Sequence, residues 1–342
     1  MQSIYGMTVE MLENYFISIN DKKFRAVQVY EALYKKRVKD IDDAPNIPTN
    51  IKGKIKEDFD TSFITIISKQ ESSDVNKYLF KLKDGNTVEA VLMRHDYGTS
   101  ICISSQVGCN MGCKFCESGR LKKVRNLDAS EMVMQILLVM EDIGDRITHI
   151  VIMGIGEPFD NYDNVMNFVR IVNYPKGIGI GSRHITISTC GIVPKIYEFM
   201  KEDGQVNLAI SLHAPNNSIR DNIMPINRVY RIEDVMEAIR VYIEKTNRRV
   251  TFEYILLKGL NDSAENAKEL AKLIRGMNAY VNLIPYNETE NLDFKRSSKD
   301  SIMRFYDILK KEKISVTIRK EFGGNIDAAC GQLRANFNRK EG

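Results

Sequence analysis

The sequence predicts an α/β protein: a partial, TIM-like (β/α)6 barrel with a helical appendage and a β-hairpin link in front of it. Two patterns carry that prediction. From Asp128 onward, short apolar runs of strand length alternate with longer stretches of helical period, which is how a parallel sheet covered by helices reads. Ahead of them, residues 1–62 place apolar side chains at helical spacing and residues 63–98 read as β-structure. The expected division is a helical accessory domain at 1–62, a β-rich linker at 63–98 and a catalytic domain at 99–342.

The first helices rest on Met11, Leu12, Tyr15 and Phe16, then on Phe24, Val27, Tyr30, Leu33 and Tyr34, and Pro45 and Pro48 mark a turn before a third. Residues 63–67 are a β-rich run, 77–82 a second, and Asp84-Gly85-Asn86 a hairpin turn signal before a returning strand at 87–93. On that strand Glu89 faces away from Val88, Ala90 and Leu92. Asp128 with Glu131 forms a capping box that opens a helix to about Asp142. Further strands are expected at 147–153, 184–188, 206–211, 250–256, 281–284 and 316–318, with helices at 161–172, 232–245, 263–275 and 298–311. In barrels of this kind the chemistry sits at the C-terminal ends of the strands.

No run of the 342 residues approaches the ~18 apolar residues of a membrane span. The first six residues lack the basic start and apolar core of a signal peptide. A cytoplasmic protein without membrane attachment is therefore expected. A net charge of +4 is too mild to argue for nucleic acid by itself. Cations do bunch at Lys22, Lys23 and Arg25 and at Lys35, Lys36, Arg37 and Lys39, which suits either a solvated helix face or an RNA-docking surface. Four of the six cysteines fall between 102 and 116. A chain this long buries a core without disulfides, so metal or redox chemistry is the better reading.

That chemistry centres on Cys109-Asn110-Met111-Gly112-Cys113-Lys114-Phe115-Cys116. Three thiolates this close can wrap one soft metal centre from a single loop, with Gly108 and Gly112 letting the backbone bend. Three rather than four point to a cluster with one iron left open for a ligand. Zinc completed by Cys102 or His95 is the alternative.

The C-x3-C-x2-C spacing is the signature of the radical SAM superfamily, and Phe115 before the last cysteine is also typical. Along nearly its whole length the chain resembles the bacterial radical SAM methyltransferases that act on C2 of adenine in ribosomal and transfer RNA. The resemblance is carried by the run from Cys102 to Cys109, Gly154-Ile155-Gly156-Glu157-Pro158, Ser211-Leu212-His213-Ala214-Pro215, Pro225-Ile226-Asn227, Asn282-Leu283-Ile284-Pro285-Tyr286-Asn287 and Asp327-Ala328-Ala329-Cys330-Gly331-Gln332-Leu333. The helical segment and hairpin look like that family's RNA-binding appendage and link.

The resemblance implies a [4Fe–4S] cluster on Cys109, Cys113 and Cys116 whose open iron binds S-adenosyl-L-methionine, two molecules per turnover. It implies methylation of C2 of adenine 2503 in 23S rRNA. Some members also modify adenine 37 of tRNA, so tRNA stands as a second candidate substrate. It further implies an electron donor such as a flavodoxin or ferredoxin, and a monomer. Gly156, Glu157, Ser188, Ser211, Leu212, His213 and Asn287 match the family's cofactor-binding positions. Cys330 matches the thiolate that takes a methyl group from one cofactor molecule. A deoxyadenosyl radical from the second abstracts hydrogen from that methyl, and the carbon radical adds to the ring. Glu89 matches the acceptor of the ring proton, and Cys102 the thiol that attacks the sulfur of Cys330, releasing the base and leaving a transient disulfide.

Two positions depart from the family. Cys190 replaces a serine in Ser188-Thr189-Cys190-Gly191 and is read as a small buried residue. Glu117 puts an acid beside the cluster where small residues are usual, which bears on cofactor affinity and cluster potential. The basic loop of Arg120, Lys122, Lys123 and Arg125 suits phosphates near a flipped-out base, or plain solvation. Three rivals remain: the related C8-methyltransferase of the same adenine that confers ribosomal antibiotic resistance, a radical SAM enzyme acting on a peptide or small molecule, and a zinc-stabilised RNA-binding module. Val107, the 154–158 run and Arg183-His184-Ile185-Thr186 look more like the C2 group.

Overall fold

The structure, a computed structural model, describes residues 1–289 and 291–319. Helices α1 (Val9–Ser18), α2 (Arg25–Tyr30) and α3 (Thr49–Asp58) come first, with α2 continuing as a π-helical turn through Lys35. Strands β1 (Thr65–Glu71), β2 (Val75–Lys81) and β3 (Thr87–His95) then run antiparallel into β4 (Gly98–Ile103). Two-residue strands β5 (Gln106–Val107) and β6 (Arg125–Asn126) pair across the cysteine loop. Next come α4 (Ala129–Ile143), β7 (His149–Ile152), α5 (Tyr162–Asn173), β8 (Ile185–Thr189), α6 (Val193–Phe199) and β9 (Asn207–Ser211). The described chain finishes with α7 (Asn217–Ile223), α8 (Ile232–Thr246), β10 (Val250–Leu256), α9 (Ala264–Ile274), β11 (Ala279–Pro285), α10 (Lys299–Lys311) and β12 (Val316–Ile318).

All strands but β5 and β6 join one ten-stranded sheet in the order β1-β2-β3-β4-β7-β8-β9-β10-β11-β12. Pairing is parallel from β4 onward, so sheet order follows chain order through six crossovers, each containing a helix. Such a succession of βα units is the right-handed coil that closes toward a barrel. Among the described residues β12 pairs only with β11, which leaves the barrel partial. The link is larger than the expected hairpin. It supplies three antiparallel strands that extend the barrel sheet, and β1 runs on through Ser68-Lys69-Gln70-Glu71 past a register shift between Ile66 and Ser68. As an outer strand it remains half-exposed and tolerates those polar side chains.

Local chemistry sets the elements. Asp128 and Glu131 close the capping box of α4, and Gly144 at φ 65° ends it in the left-handed conformation. Nearly every side of α4 is buried because two layers cover it. The barrel sheet lies on one side and the N-terminal segment on the other, where Arg37 donates to the Met140 carbonyl at 3.2 Å and Lys39 pairs with Glu141 at 2.5 Å. Tyr30 stacks edge-on against Tyr174 at the end of α5. Among the described residues no helix is long and apolar enough to cross a membrane.

Candidate active site

A cavity of about 350 Å³ opens at the C-terminal ends of the parallel strands. It is lined by residues near the strand ends such as Cys102, Ser188 and Ser211, by Glu253 in the middle of β10, by the cysteine loop, and by one face of β3. Because side chains alternate along a strand, Glu89, Val91 and Met93 face this cavity while Val88, Ala90 and Leu92 fill the main core.

Cys109, Cys113 and Cys116 all line the cavity. The loop is pinned by bonds from Cys109 N–H to the Leu121 carbonyl (2.9 Å) and from Lys114 N–H to the Ile223 carbonyl (2.9 Å). Gly108 is obligatory: its φ is +78° and a Cβ there would lie 2.1 Å from the Lys122 carbonyl oxygen. Burial pushes all three thiols up, Cys109 to about 12, and each carboxylate or thiol nearby raises them further. Three thiolates would therefore persist here only with a cationic centre among them. Backbone N–H groups of Ser118 and Gly119 point at the Cys116 sulfur and that of Met111 at Cys109, the hydrogen bonding that cluster thiolates accept. Among the described residues no three His, Cys, Asp or Glu side chains converge on a single ion's position. Three thiols on one cavity lining, with amide donors on two of their sulfurs, are a donor set that fits an iron–sulfur cluster.

His95 is no ligand to this centre. It pairs with Gly98 at the start of β4, roughly 17 Å of strand from the end that carries the loop. Its Nε2 bonds the Ser100 hydroxyl at 2.8 Å. Cys102 has different neighbours again: Arg319, Lys77 and Glu89 are the charges that act on it.

Glu157 is 4% exposed and receives two backbone N–H groups, from Phe159 at 3.0 Å and from Cys190 at 2.8 Å. Burial still holds its carboxyl above the usual range, so a cationic partner would be welcome. Gly156 (φ +115°) permits the approach, since a Cβ would meet Gln106 at 2.7 Å. Ser188 and Ser211 end adjacent strands with their hydroxyls 3.3 Å apart. His213 sits at φ 56°, and its Nδ1 accepts the Ile255 N–H at 3.1 Å, which leaves the proton on Nε2. Burial and then Arg220 push it down to about 3, so the imidazole is neutral, and it meets the Phe115 ring edge-on at 4.9 Å. Asn287 stands exposed at the rim. Leu212 differs from the expectation of a side-chain cofactor contact: its side chain is wholly in the core, and its carbonyl accepts from the buried Arg220 Nε at 3.2 Å.

Cys102 and Glu89 lie on neighbouring strands along the cavity wall. Cys330, with the 327–333 run, lies outside the described residues. Cys190 is a small buried residue whose backbone matters, its N–H going to Glu157 and its carbonyl accepting Arg220 Nη2 at 2.7 Å. Glu117 is buried on the cavity wall, bonded by Asn291 at 3.2 Å with Arg120 at 3.7 Å. The basic loop is largely committed to protein partners. Arg125 makes a bidentate pair with Glu131 (2.7 and 2.8 Å) and bonds Asp84 at 2.6 Å, while Lys123 pairs with Asp160 at 2.7 Å. Lys122 is exposed.

Sequence reasoning missed four charged residues here. Arg220, 0% exposed, ties together the Leu212 and Cys190 carbonyls and Asn227. Glu253 is buried in the wall, Arg319 lines it, and Lys77 is buried beside Glu89 with its ammonium 3.3 Å from that carboxylate. Glu253 had a signal, an acid interrupting the apolar run of β10; Arg220 had none.

Comparison with known proteins adds the following. Residues 103–273 match the radical SAM superfamily, and residues 2–60 match the ribosomal RNA large subunit methyltransferase N-terminal domain. A protein of Enterococcus faecalis named "Probable dual-specificity RNA methyltransferase RlmN" is 53% identical over 349 residues, covering 99% of this chain and 98% of its own length. One of the same name from Spiroplasma citri is 52% identical and covers 98% of each. The crystal structure of a radical SAM methyltransferase from Sphaerobacter thermophilus superposes with a TM-score of 0.92 at 40% identity, over 97% of this chain and 99% of that one.

Proposed function

The chain belongs to the dual-specificity RNA methyltransferases of the radical SAM superfamily, and from that premise we propose that it methylates C2 of adenine 2503 in 23S rRNA and adenine 37 of tRNA. It does so as a cytoplasmic monomer reduced by a flavodoxin or ferredoxin. The observation that supports this most is the convergence of two chemistries on one cavity: three cysteines with Glu157 on one part of its lining, Cys102 with Glu89 on another. An RNA base that reaches both must leave its stack.

The [4Fe–4S] cluster and S-adenosyl-L-methionine, when bound, supply one-electron reductive cleavage and the methyl group. Cys109, Cys113 and Cys116 hold the cluster. Glu157, already fixed by two amides, accepts from the cofactor's ammonium group, which relieves the burial of its carboxylate. Ser188 and Ser211 offer hydroxyls to the cofactor, and Asn287 a side-chain amide to the adenosyl group. Neutral His213 adds a donor at Nε2 without adding charge. Cys330 carries the methyl group as a thioether, Glu89 takes the ring proton, and Cys102 attacks the Cys330 sulfur.

Two variants test the thiol roles. Cys330→Ala should keep the cluster and cleave cofactor, yet yield no methylated RNA; methylated product from it would refute the mechanism. Cys102→Ala should accumulate a protein–RNA adduct through Cys330, seen on denaturing gels, and its absence would remove Cys102 from the resolving role.

A further inference from the structure

Lys77 is 0% exposed, and its ammonium lies 3.3 Å from the carboxylate of Glu89, itself 3% exposed. Strand register explains the meeting. Lys77 on β2 stands opposite Val91 on β3, and Val91 stands opposite Cys102 on β4. These three residues form one row across three strands, so their side chains share a face, and Glu89 is on that face two residues along β3. Two strand spacings, about 10 Å, separate the backbones of Lys77 and Cys102. A buried ammonium is costly to desolvate and endures where an anion answers it. Burial holds the Cys102 thiol above its ordinary value; against it Arg319 and Lys77 favour the thiolate, and Glu89 opposes it. Glu253 also faces this cavity and feels Arg319.

We propose that Lys77 is the positioning residue of the proton-transfer step: its ammonium aims the Glu89 carboxylate into the cavity, and after Glu89 is protonated its charge acts on Cys102 along the same row. The proposal rests on the function assigned above and deepens it. The ring gives its proton to Glu89 as H⁺, the C–H electron pair staying on the ring, and Lys77 neither gains nor loses a proton. Glu89 thereby becomes a neutral acid. The anion that opposed ionisation of Cys102 is gone while the Lys77 cation remains, so the Cys102 proton is lost to water more readily after proton abstraction than before it.

The test uses the reconstituted holoenzyme with RNA, reading methyl-Cys330 by intact mass, deoxyadenosine, the protein–RNA adduct and methylated adenosine. Glu89→Gln is the comparator and must stall at the adduct; product at the wild-type rate from it would sink the base assignment and this proposal together. Lys77→Met should form methyl-Cys330 and deoxyadenosine as wild type does, lose at least tenfold in product, and accumulate the same adduct. Lys77→Arg, which keeps the charge, should recover most of the product. Wild-type product from Lys77→Met overturns the proposal, as does loss of methyl-Cys330 in step with product, or a Lys77→Arg enzyme no better than Lys77→Met. A second measurement avoids a lone buried charge. Alkylation of Cys102, mapped by peptide mass, should be several-fold faster in Glu89→Gln than in Glu89→Gln/Lys77→Met, and equal rates contradict the role of Lys77.

Discussion

At the scale of single residues, this site is governed by burial. Glu157, Glu253 and the three loop cysteines are all held by burial in less ionised states than water would give them, Glu253 even with Arg319 acting on it. His213 is the opposite case, a base kept neutral, and it yields a prediction. Its ordinary value is 6.5 and its folded value about 3. Between those values the unfolded chain binds a proton that the folded chain does not, so stability is whole above about pH 6.5 and falls as the pH drops toward 3. Denaturant midpoints at pH 7.5 and 5 should therefore lie closer together in His213→Gln than in wild type. An unchanged gap would mean that His213 is not held neutral. Motif residues were legible at this scale because type and spacing suffice to find a cysteine loop or a glycine–glutamate turn. Arg220 and Lys77 were not. A lone cation in a sequence reads as solvated, and only tertiary placement puts it beneath a cavity.

At the scale of elements, the cysteine loop is held in register by what flanks it. Arg125 on β6 bonds Glu131 in the first turn of α4 and Asp84 in the β2–β3 turn, so one guanidinium joins three elements. Arg125→Ala should cost about 1–2 kcal/mol, the worth of charge-assisted bonds at a half-buried position. It should leave the salt dependence of RNA binding unchanged, because the side chain is occupied by protein. A shallower salt slope without loss of stability would return Arg125 to phosphate contact. Strand β10 and the start of α4 could be read directly, the first from its β-branched and aromatic residues, the second from its capping box. Helices α6 and α7 escaped because seven residues do not display a helical period. The extent of β1 escaped because edge position, rather than hydrophobicity, permits its polar half.

At the scale of the molecule, one sheet carries both halves of the chemistry. Its antiparallel extension delivers Glu89, with Lys77 buried beside it, and its parallel part delivers Cys102, Ser188, Ser211 and Glu253 to the same cavity. The barrel was legible from the alternation of strand and helix. That the link joins the barrel sheet was not, since pairing between β3 and β4 depends on a turn at Asp96 and Tyr97 that resembles any loop. The N-terminal segment packs on α4 and α5 through Tyr30, Arg37 and Lys39, which fixes it against the catalytic domain. The central claim is that this assembly methylates C2 of an RNA adenine. The direct measurement is mass spectrometry of nucleosides from 23S rRNA incubated anaerobically with the reconstituted protein, reductant and S-adenosyl-L-methionine. The account predicts 2-methyladenosine at adenine 2503; 8-methyladenosine instead, or cofactor cleavage with no methylated adenosine, would contradict it.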